Sequence, residues 1–386
     1  MALASRTDWV FDPAVHYLNH GSYGAVPHAV NGAQLLIREQ MERNPNLFFR
    51  SELPALLRAA RARCAAELGT DEERVAFVPN ASQGVIAAAA SVIRHGSTIA
   101  TMTSNYGGVV LGLRALARRF AAEVRELDAA PPTAATPESC VAELMEHIGN
   151  ADVLVLDQIV AASAQLNPVE AMVREVRRLR PDCFIVIDAA HVAGQLRQPI
   201  PAGVDAWVSN FHKWVAAPRP SAALVAVSER ARHELAPLAG SWNTELGFPL
   251  SFDSQGTADL SAYLATPAAF DFLARWSWDA REQHCRNTVT EAAALLAGAW
   301  GVQLPTHPEL CAPNMRIVPL PGNQRLTTAE EAALIVAARK HLLAEIAVTS
   351  PGGVTGVRLS AYLYNDVADY ECLRDLPKLL STPNGI

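Results

Sequence analysis

A carboxylate and an amine stand at the ends of two successive apolar runs of the sequence. Asp188 ends the run CFIVID, and Lys213 follows the next run, DAWVSN. Phe211 and Trp214 flank the lysine, and apolar surroundings lower the pKa of a lysine amine, which suits a nucleophile that forms an imine. A single lysine at a strand end is more often a surface residue, so the argument depends on the pair.

The pair indicates one class of ligand if the two runs are neighbouring parallel strands. A pyridine ring that carries an aldehyde needs a carboxylate beside its ring nitrogen and an amine that forms the imine. A phosphate on the same ligand would fit the segment from Asn80 to Gln83, which opens a helix directly after the run VAFVP. Helix N-termini present free N–H groups to anions, and Ser82 adds a hydroxyl. On its own, this segment is typical of an ordinary helix N-cap.

The elements around these residues predict an α/β fold. Short apolar runs alternate with helical periods through residues 75–228, which is typical of a mostly parallel sheet covered by helices. Such a sheet binds ligands outside the carboxyl ends of its strands, where Asp188 and Lys213 are expected. A turn-rich segment then leads to further helices and strands. We expect an N-terminal segment bordering the active site at residues 1–27, a large domain at 28–250, and a linker with a smaller α/β domain at 251–386.

Composition and charge exclude several classes of protein. The chain has 386 residues, 50% of them hydrophobic, and a formal net charge of −7, with no run of basic residues. Such a chain is a poor candidate for binding nucleic acid or an anionic membrane. The N-terminus lacks the apolar core of a secretory signal, and the six scattered cysteines are typical of reduced core residues, so we expect a cytoplasmic protein. The histidines show no metal-binding spacing, and no metal is expected.

Seven short segments follow one another in order over nearly the whole chain. They are LNHGSYG, PNASQG, NYGG, IDAAHVAGQ, SNFHKW, QGTADLSAYL and VRLSAYLYN. This set resembles enzymes with the class V aminotransferase fold, and most of all the isopenicillin N epimerase-like group. The resemblance implies fold type I, the fold of pyridoxal 5′-phosphate-dependent transferases, with a seven-stranded, mostly parallel sheet and a smaller C-terminal α/β domain. It also implies pyridoxal 5′-phosphate as cofactor, an amino-acid-derived substrate, and a homodimer with shared active sites.

The resemblance further implies a role for each matching residue. Lys213 would form the imine with the cofactor and move protons at Cα, Asp188 would pair with the pyridinium nitrogen, and His191 would lie near the phenolic oxygen. Tyr106 would stack on the ring. The remaining contacts form three sets: Ala81, Ser82, Asn210 and His212 at the phosphate; Gly256 and Thr257 at the phosphate of the partner subunit; and Arg358, Asn19 and His20 at the substrate, with Arg358 on its carboxylate.

Three segments depart from the pattern of the resembling enzymes, and the one after the run VLVLD bears on the reaction. After the run VLVLD they usually carry a histidine followed by Thr-Ser, whereas this chain has Gln158 followed by Ile-Val-Ala-Ala. Acid and base groups near the cofactor direct which bond at Cα breaks. We therefore expect Gln158 to border the substrate pocket and the chain to be a specialised relative rather than an ordinary epimerase.

Several reactions stay open at this stage. The resembling group acts on cysteine-derived and sulfur-linked amino acids, including those of lincosamide-type pathways. The predicted function is therefore a lyase for an S-substituted cysteine in secondary metabolism such as antibiotic biosynthesis, by β-eliminating C–S cleavage or by decarboxylation-coupled deamination. Amino-acid epimerisation is the alternative reaction. Transamination is a third, less favoured possibility. A cofactor-binding regulator is disfavoured, because it would be expected to carry an added DNA-binding module and a basic face.

Overall fold

The computed structural model describes residues 1–381 and contains three β-sheets flanked by helices. The strands are β1 (His16–Tyr17), β2 (Val75–Val78), β3 (Thr98–Met102), β4 (Glu123–Leu127), β5 (Val153–Asp157), β6 (Phe184–Asp188), β7 (Ala206–Asn210), β8 (Ala222–Ala226), β9 (Met315–Pro319), β10 (Ala344–Glu345), β11 (Ala347–Thr349) and β12 (Gly356–Ser360). The helices are α1 (His20–Tyr23), α2 (His28–Arg43), α3 (Pro45–Leu47), α4 (Leu53–Leu68), α5 (Ala81–Val92), α6 (Gly107–Phe120), α7 (Pro137–His147), α8 (Val169–Leu179), α9 (Glu229–Glu234), α10 (Ser261–Leu273), α11 (Trp278–Trp300) and α12 (Thr328–Leu342).

The largest sheet has seven strands in the order β2-β8-β7-β6-β5-β3-β4. Strands β7, β6, β5, β3 and β4 pair in parallel, whereas β8 runs antiparallel to both of its neighbours. Every residue of β3 and of β5 to β8 is buried, since helices cover both faces of the sheet. The prediction of an α/β fold with a large, mostly parallel sheet is confirmed.

Alternation along the strands divides the core into two layers. Val186 and Val208 point to one face and pack in a cluster with residues of α5 and α6. Ile187 and Trp207 point to the opposite face and pack in a cluster with residues of α4, α7 and α8. A side chain at a strand end therefore belongs to one layer or the other, according to its position in the alternation.

Helix α5 lies close against the end of strand β7. This helix begins at Ala81, because the Asn80 side chain accepts the Gln83 N–H as an N-cap. Gly84 allows the close approach, since a Cβ at this position would lie 2.5 Å from Cγ1 of Val208. The N-terminus of α5 is thereby fixed beside the carboxyl ends of the strands.

The C-terminal part forms a second, antiparallel sheet in the order β11-β12-β9. Strand β1 pairs in parallel with β10, so the N-terminal segment is joined to this part. Helix α12 ends at Leu342, because Leu343 takes a positive φ of 52° and the chain turns into β10. The domain boundary near residue 250 stays a proposal: α10 lies beyond it, yet Tyr263 of α10 stacks on Phe77 of the large sheet at 5.0 Å.

Within residues 1–381, no helix combines the length and apolar character needed to cross a membrane.

Candidate functional site

Three polar side chains project from the carboxyl ends of neighbouring strands in the large sheet. They are Asp157 of β5, Asp188 of β6 and Asn210 of β7, and at most 5% of each residue is exposed. Asp157 and Asp188 are paired directly across the two strands. By alternation, all three lie on the face that packs against α5 and α6. This strand edge is where a parallel sheet binds its ligands.

Lys213 lies in the turn after β7, and burial together with the Arg358 charge lowers the pKa of its amine to about 7, against the opposing effect of Asp188. The chain has three lysines, and the other two, Lys340 and Lys378, are exposed. The Lys213 Nζ atom lies 3.0 Å from Nε2 of His191. About half of the Lys213 side chains would therefore carry a free amine at neutral pH.

His191 is held in one orientation by the residue that follows the lysine. Trp214 Nε1 donates a hydrogen bond to Nδ1 of His191 at 3.4 Å. Burial, with a further contribution from Lys213, holds the pKa of His191 well below its usual value, so the ring is neutral. Since Nδ1 accepts a hydrogen bond, the ring proton is on Nε2 and points at the Lys213 amine.

Asp188 lacks a full set of hydrogen bonds. Its Oδ1 atom accepts the Ala190 N–H at 3.0 Å, and its second oxygen has no hydrogen bond within residues 1–381. Burial raises the pKa of Asp188 to about 6, while the Ala190 N–H and Lys213 act in the opposite direction. A cationic N–H group placed against the second oxygen would offset the cost of burying this carboxylate.

Asp157 is a second buried carboxylate in the site, and we did not predict a function for it from the sequence. Its Oδ2 atom accepts the backbone N–H of Tyr106 at 3.0 Å, and its Oδ1 atom is buried and has no hydrogen-bond partner among residues 1–381. Tyr106 immediately precedes α6 and is 51% exposed, so one face of its aromatic ring is free to stack on the ring of a ligand. The signal was available, since VLVLD repeats the pattern of FIVID at Asp188.

Arg358 of β12 carries a buried positive charge whose partners within residues 1–381 are all neutral. Its Nη1 atom donates to the Ala161 carbonyl at 2.7 Å, and its Nη2 atom donates to Asn19 Oδ1 at 3.1 Å and to Ser22 Oγ at 2.9 Å. Its Nε atom is buried and has no partner in the described part of the chain, and burial lowers the pKa of the guanidinium to about 10. The structure thus brings Asn19 to Arg358, where a small anion could complete the coordination.

His20 supports the Lys213 turn instead of lining an open pocket. It is fully buried, its Nε2 atom lies 2.9 Å from the Lys213 carbonyl oxygen, and its ring stacks on Tyr362 at 3.7 Å. The prediction that His20 borders the substrate is therefore corrected. Gly24 brings the same segment against this turn, since a Cβ at Gly24 would lie 2.2 Å from the His212 carbonyl oxygen.

Three of the four predicted phosphate contacts, Ala81, Ser82 and Asn210, lie at the N-terminus of α5, and His212 follows Asn210 in the turn after β7. Asn210 Oδ1 accepts the Ala81 N–H at 2.8 Å, so these two groups are bonded to each other. The backbone N–H of Ser82 has no hydrogen-bond partner in the part of the chain that the structure describes. His212 Nδ1 donates to the Ser221 carbonyl at 3.0 Å, and burial lowers the pKa of His212 to about 4. Ser82 and the second nitrogen of His212 are left to meet a ligand.

Gln158 is not part of the site, contrary to our prediction. Its Nε2 atom donates to the Pro199 carbonyl at 3.0 Å, and its Oε1 atom accepts from Trp207 Nε1 at 3.0 Å. Gln158 follows Asp157 directly and points to the opposite face of the sheet, with Trp207. Both ends of its amide are occupied by core contacts there.

Gly256 and Thr257 lie in an exposed segment before α10, so their predicted contact with a partner subunit stays a prediction. No group of three or more potential metal ligands occurs within residues 1–381.

The donor set fits pyridoxal 5′-phosphate. A partly buried amine of lowered pKa suits an aldehyde, and a buried carboxylate with a free oxygen suits a protonated ring nitrogen. The free backbone N–H group and the hydroxyl of Ser82 at the start of α5 suit a phosphate. Lys213, Asp188 and Ser82 would therefore hold the three functional groups of this cofactor.

Comparisons with known proteins find relatives that align over nearly the whole chain. A putative L-cysteine desulfhydrase of Oryza sativa subsp. japonica is 30% identical over 94% of this chain and 84% of its own length. An isopenicillin N epimerase of Amycolatopsis lactamdurans is 26% identical over 98% of each chain. Among solved structures, a mutant of C-DES with glycine covalently linked to its pyridoxal 5′-phosphate cofactor has a TM-score of 0.81 at 17% identity, covering 97% of this chain and 99% of that one.

The cystine C–S lyase C-DES in complex with its product, cysteine persulfide, has a TM-score of 0.78 at 18% identity, covering 94% of this chain and 97% of that one. Both structures show the same fold as this chain. The family profile described as Aminotransferase class-V matches residues 47–373. The protein is therefore an enzyme that belongs to the class V aminotransferase family.

Proposed function

We propose that this chain is a pyridoxal 5′-phosphate-dependent lyase that cleaves the C–S bond of an S-substituted cysteine by β-elimination. The observation that carries the proposal is Arg358, a buried guanidinium with neutral partners only, in the same site as Lys213 and Asp188. An amino-acid carboxylate is the small anion that would complete this arrangement. The relatives named cysteine desulfhydrases support a sulfur-containing side chain.

The cofactor, when bound, supplies an electron sink for the bond pair released at Cα. Asp188 holds the ring nitrogen in its protonated form, because that nitrogen gives its free oxygen a cationic partner. Tyr106 covers one face of the ring. The N-terminus of α5 at Ser82 neutralises the phosphate, together with His212 and the side-chain nitrogen of Asn210.

Lys213 is the base that removes the Cα proton. Its lowered pKa leaves a large share of the amine unprotonated at neutral pH, and His191 Nε2, 3.0 Å away, orients that amine. The hydrogen bond from Trp214 keeps the His191 proton on the lysine side. Arg358 positions the substrate by its carboxylate, which sets the Cα–H bond relative to Lys213.

Arg358 also favours elimination over loss of carbon dioxide. A guanidinium that binds the carboxylate stabilises its negative charge, and loss of carbon dioxide would leave the buried cation without a partner again. Decarboxylation-coupled deamination is therefore the less favoured of the two cleavage reactions.

We further propose a homodimer in which Gly256 and Thr257 approach the partner's phosphate site. Their exposed segment borders a cleft that also contains Leu246 and Trp242, and Trp242 is 94% exposed. Exposed apolar side chains of this size are typical of an interface. A role in secondary metabolism such as antibiotic biosynthesis belongs to the same proposal and rests on the sequence resemblance. A cytoplasmic location belongs to it as well and rests on the N-terminal sequence and the scattered cysteines.

The test is product analysis with an S-alkyl cysteine in D₂O under air. Elimination converts the substrate and one water into a thiol, pyruvate and ammonia, with no net oxidation. Detection of thiol and pyruvate in equal amounts supports the proposal. Detection of an S-linked aldehyde without the carboxylate would instead identify the reaction as decarboxylation-coupled deamination and overturn the elimination proposal.

Epimerisation is the second candidate, because isopenicillin N epimerases align over nearly all of this chain. Its signature in the same experiment is intact substrate carrying deuterium at Cα, without thiol. That result would overturn the elimination proposal.

A further inference from the structure

The site has two buried carboxyl groups and few cations near them, so ionising both groups at once would cost free energy. Asp157 and Asp188 are direct neighbours across β5 and β6, and each is 2% exposed. The cations that face them are Lys213 and, beyond it, Arg358. His191 and His212 are neutral, since burial lowers the pKa of each. Two negative charges on directly paired residues of a buried site repel each other, which favours protonation of one of the two carboxyl groups.

The burial of the unpaired oxygens favours Asp157 over Asp188 as the group that carries the proton. Asp157 Oδ2 accepts the Tyr106 N–H at 3.0 Å, while its Oδ1 atom is buried and has no partner. A bare anionic oxygen there would be costly, whereas a carboxylic acid needs only one acceptor oxygen and can place its O–H at the other. The second oxygen of Asp188 also lacks a hydrogen bond within residues 1–381, but it is not fully buried, so a ring nitrogen can reach it.

We propose that Asp157 is a positioning residue that remains a neutral carboxylic acid in the working enzyme. As an acceptor at Oδ2 it fixes the backbone of Tyr106 at the start of α6. Without a charge, it leaves Asp188 as the single anion available to the cofactor's ring nitrogen.

The wider surroundings of Asp157 agree with this assignment. Asn105 accepts the Asp157 backbone N–H at 3.2 Å and donates to Thr101 Oγ1 and to the Val155 carbonyl at 2.8 Å each, so the segment is rigid. Burial, followed by the Asp188 charge, raises the pKa of Asp157 well above its usual value, although Lys213 and the Tyr106 N–H act against this shift. A neutral Asp157 thus fits both the contacts and the electrostatics.

Infrared spectroscopy tests the assignment directly. At about pH 8, where an Asp of ordinary pKa is ionised, the wild-type protein is expected to show the C=O band of a protonated carboxylic acid, with and without cofactor. The band should disappear in Asp157→Asn and persist in Asp205→Asn. Asp205 is a matched control, since it is also buried but paired with Arg177 at 2.5 Å. Absence of the acid band from the wild-type protein would overturn the proposal, whether or not the variants fold.

A pH titration of the bound cofactor's absorbance gives the second readout. An amide accepts at one atom and donates at the other, so Asp157→Asn imitates the neutral acid and should leave the titration midpoint within about 0.3 pH units of wild type. If Asp157 were ionised, loss of its charge would lower the midpoint by about one unit or more, and the proposal would be wrong. The inference rests on the proposed cofactor site but not on which bond is cleaved, so a negative product analysis leaves it intact.

Discussion

The lowered pKa of Lys213 makes a quantitative prediction about how the cofactor-free protein captures pyridoxal 5′-phosphate. Only the uncharged amine attacks an aldehyde. With a pKa of about 7, the uncharged fraction rises from about one-tenth at about pH 6 to about nine-tenths at about pH 8, which is roughly tenfold, with a plateau above. For a lysine with the ordinary pKa of 10.5, the uncharged fraction would rise about a hundredfold over the same range, without a plateau.

Stopped-flow absorbance measures the bimolecular capture rate over this pH range. Dividing each rate by that of an Nα-acetylated lysine amide model compound, corrected for its own free-amine fraction, removes the titration of the cofactor itself. Arg358→Met should move the plateau to higher pH, because the Arg358 charge lowers the pKa of Lys213. Arg178→Met is the control, since that side chain is 65% exposed on α8 and pairs with Glu175. A hundredfold rise without a plateau would refute the claim that burial and Arg358 tune this amine.

Three further predictions concern individual side chains. In cofactor-free protein, Asp188→Asn should raise the free energy of unfolding above about pH 6 by up to about 3 kcal/mol. The pKa of Asp188 is about 6 in the folded protein and 3.8 ordinarily, so ionisation of Asp188 destabilises the folded wild-type protein as pH rises through that window. Equal urea midpoints for the wild type and the variant at about pH 8 would contradict this. Arg358→Lys should lower kcat/KM at least about 30-fold, or about 2 kcal/mol, for substrates with a carboxylate, since lysine lacks the planar fork, and an equal loss with the decarboxylated amine would exclude carboxylate binding. Gln158→Leu should lower the unfolding free energy by about 1–3 kcal/mol for each group it leaves unpaired, Trp207 Nε1 and the Pro199 carbonyl, with an unchanged product ratio in the S-alkyl cysteine assay; a changed ratio would return Gln158 to the site.

The residues that end apolar strands could be predicted from the sequence. A strand buried on both faces must be a continuous apolar run, and a polar residue at its carboxyl end marks the edge where ligands bind. Asp188 and Lys213 were found in this way, and the structure places them at neighbouring strand ends. Asp157 follows the same rule and was overlooked because no motif drew attention to it.

The face to which a side chain points was harder to predict. Gln158 is adjacent to Asp157 in sequence, yet alternation places the two on opposite faces of the sheet. The departure from the pattern of relatives at this position therefore concerns the core contact with Trp207. A sequence comparison without strand register has no means of separating the two cases.

Contacts between residues far apart in the chain could not be predicted from the sequence. His20 meets the Lys213 carbonyl, and Asn19 meets Arg358, only because β1 pairs with β10 and draws the N-terminal segment across the C-terminal part. Strand β1 has two residues, which is too short for any periodicity to be visible. The resemblance placed Asn19 and His20 near the site, and the structure distinguishes the partner of Arg358 from the support of the lysine turn.

The central claim is that Lys213 is the amine that holds the cofactor, and chemical trapping tests it most directly. Protein loaded with pyridoxal 5′-phosphate would be reduced with borohydride, digested and mapped by mass spectrometry. Because the chain has only three lysines, each peptide can be followed separately. The account predicts one phosphopyridoxyl group per chain, on Lys213. A label on the exposed Lys340 or Lys378 with Lys213 unmodified would contradict it.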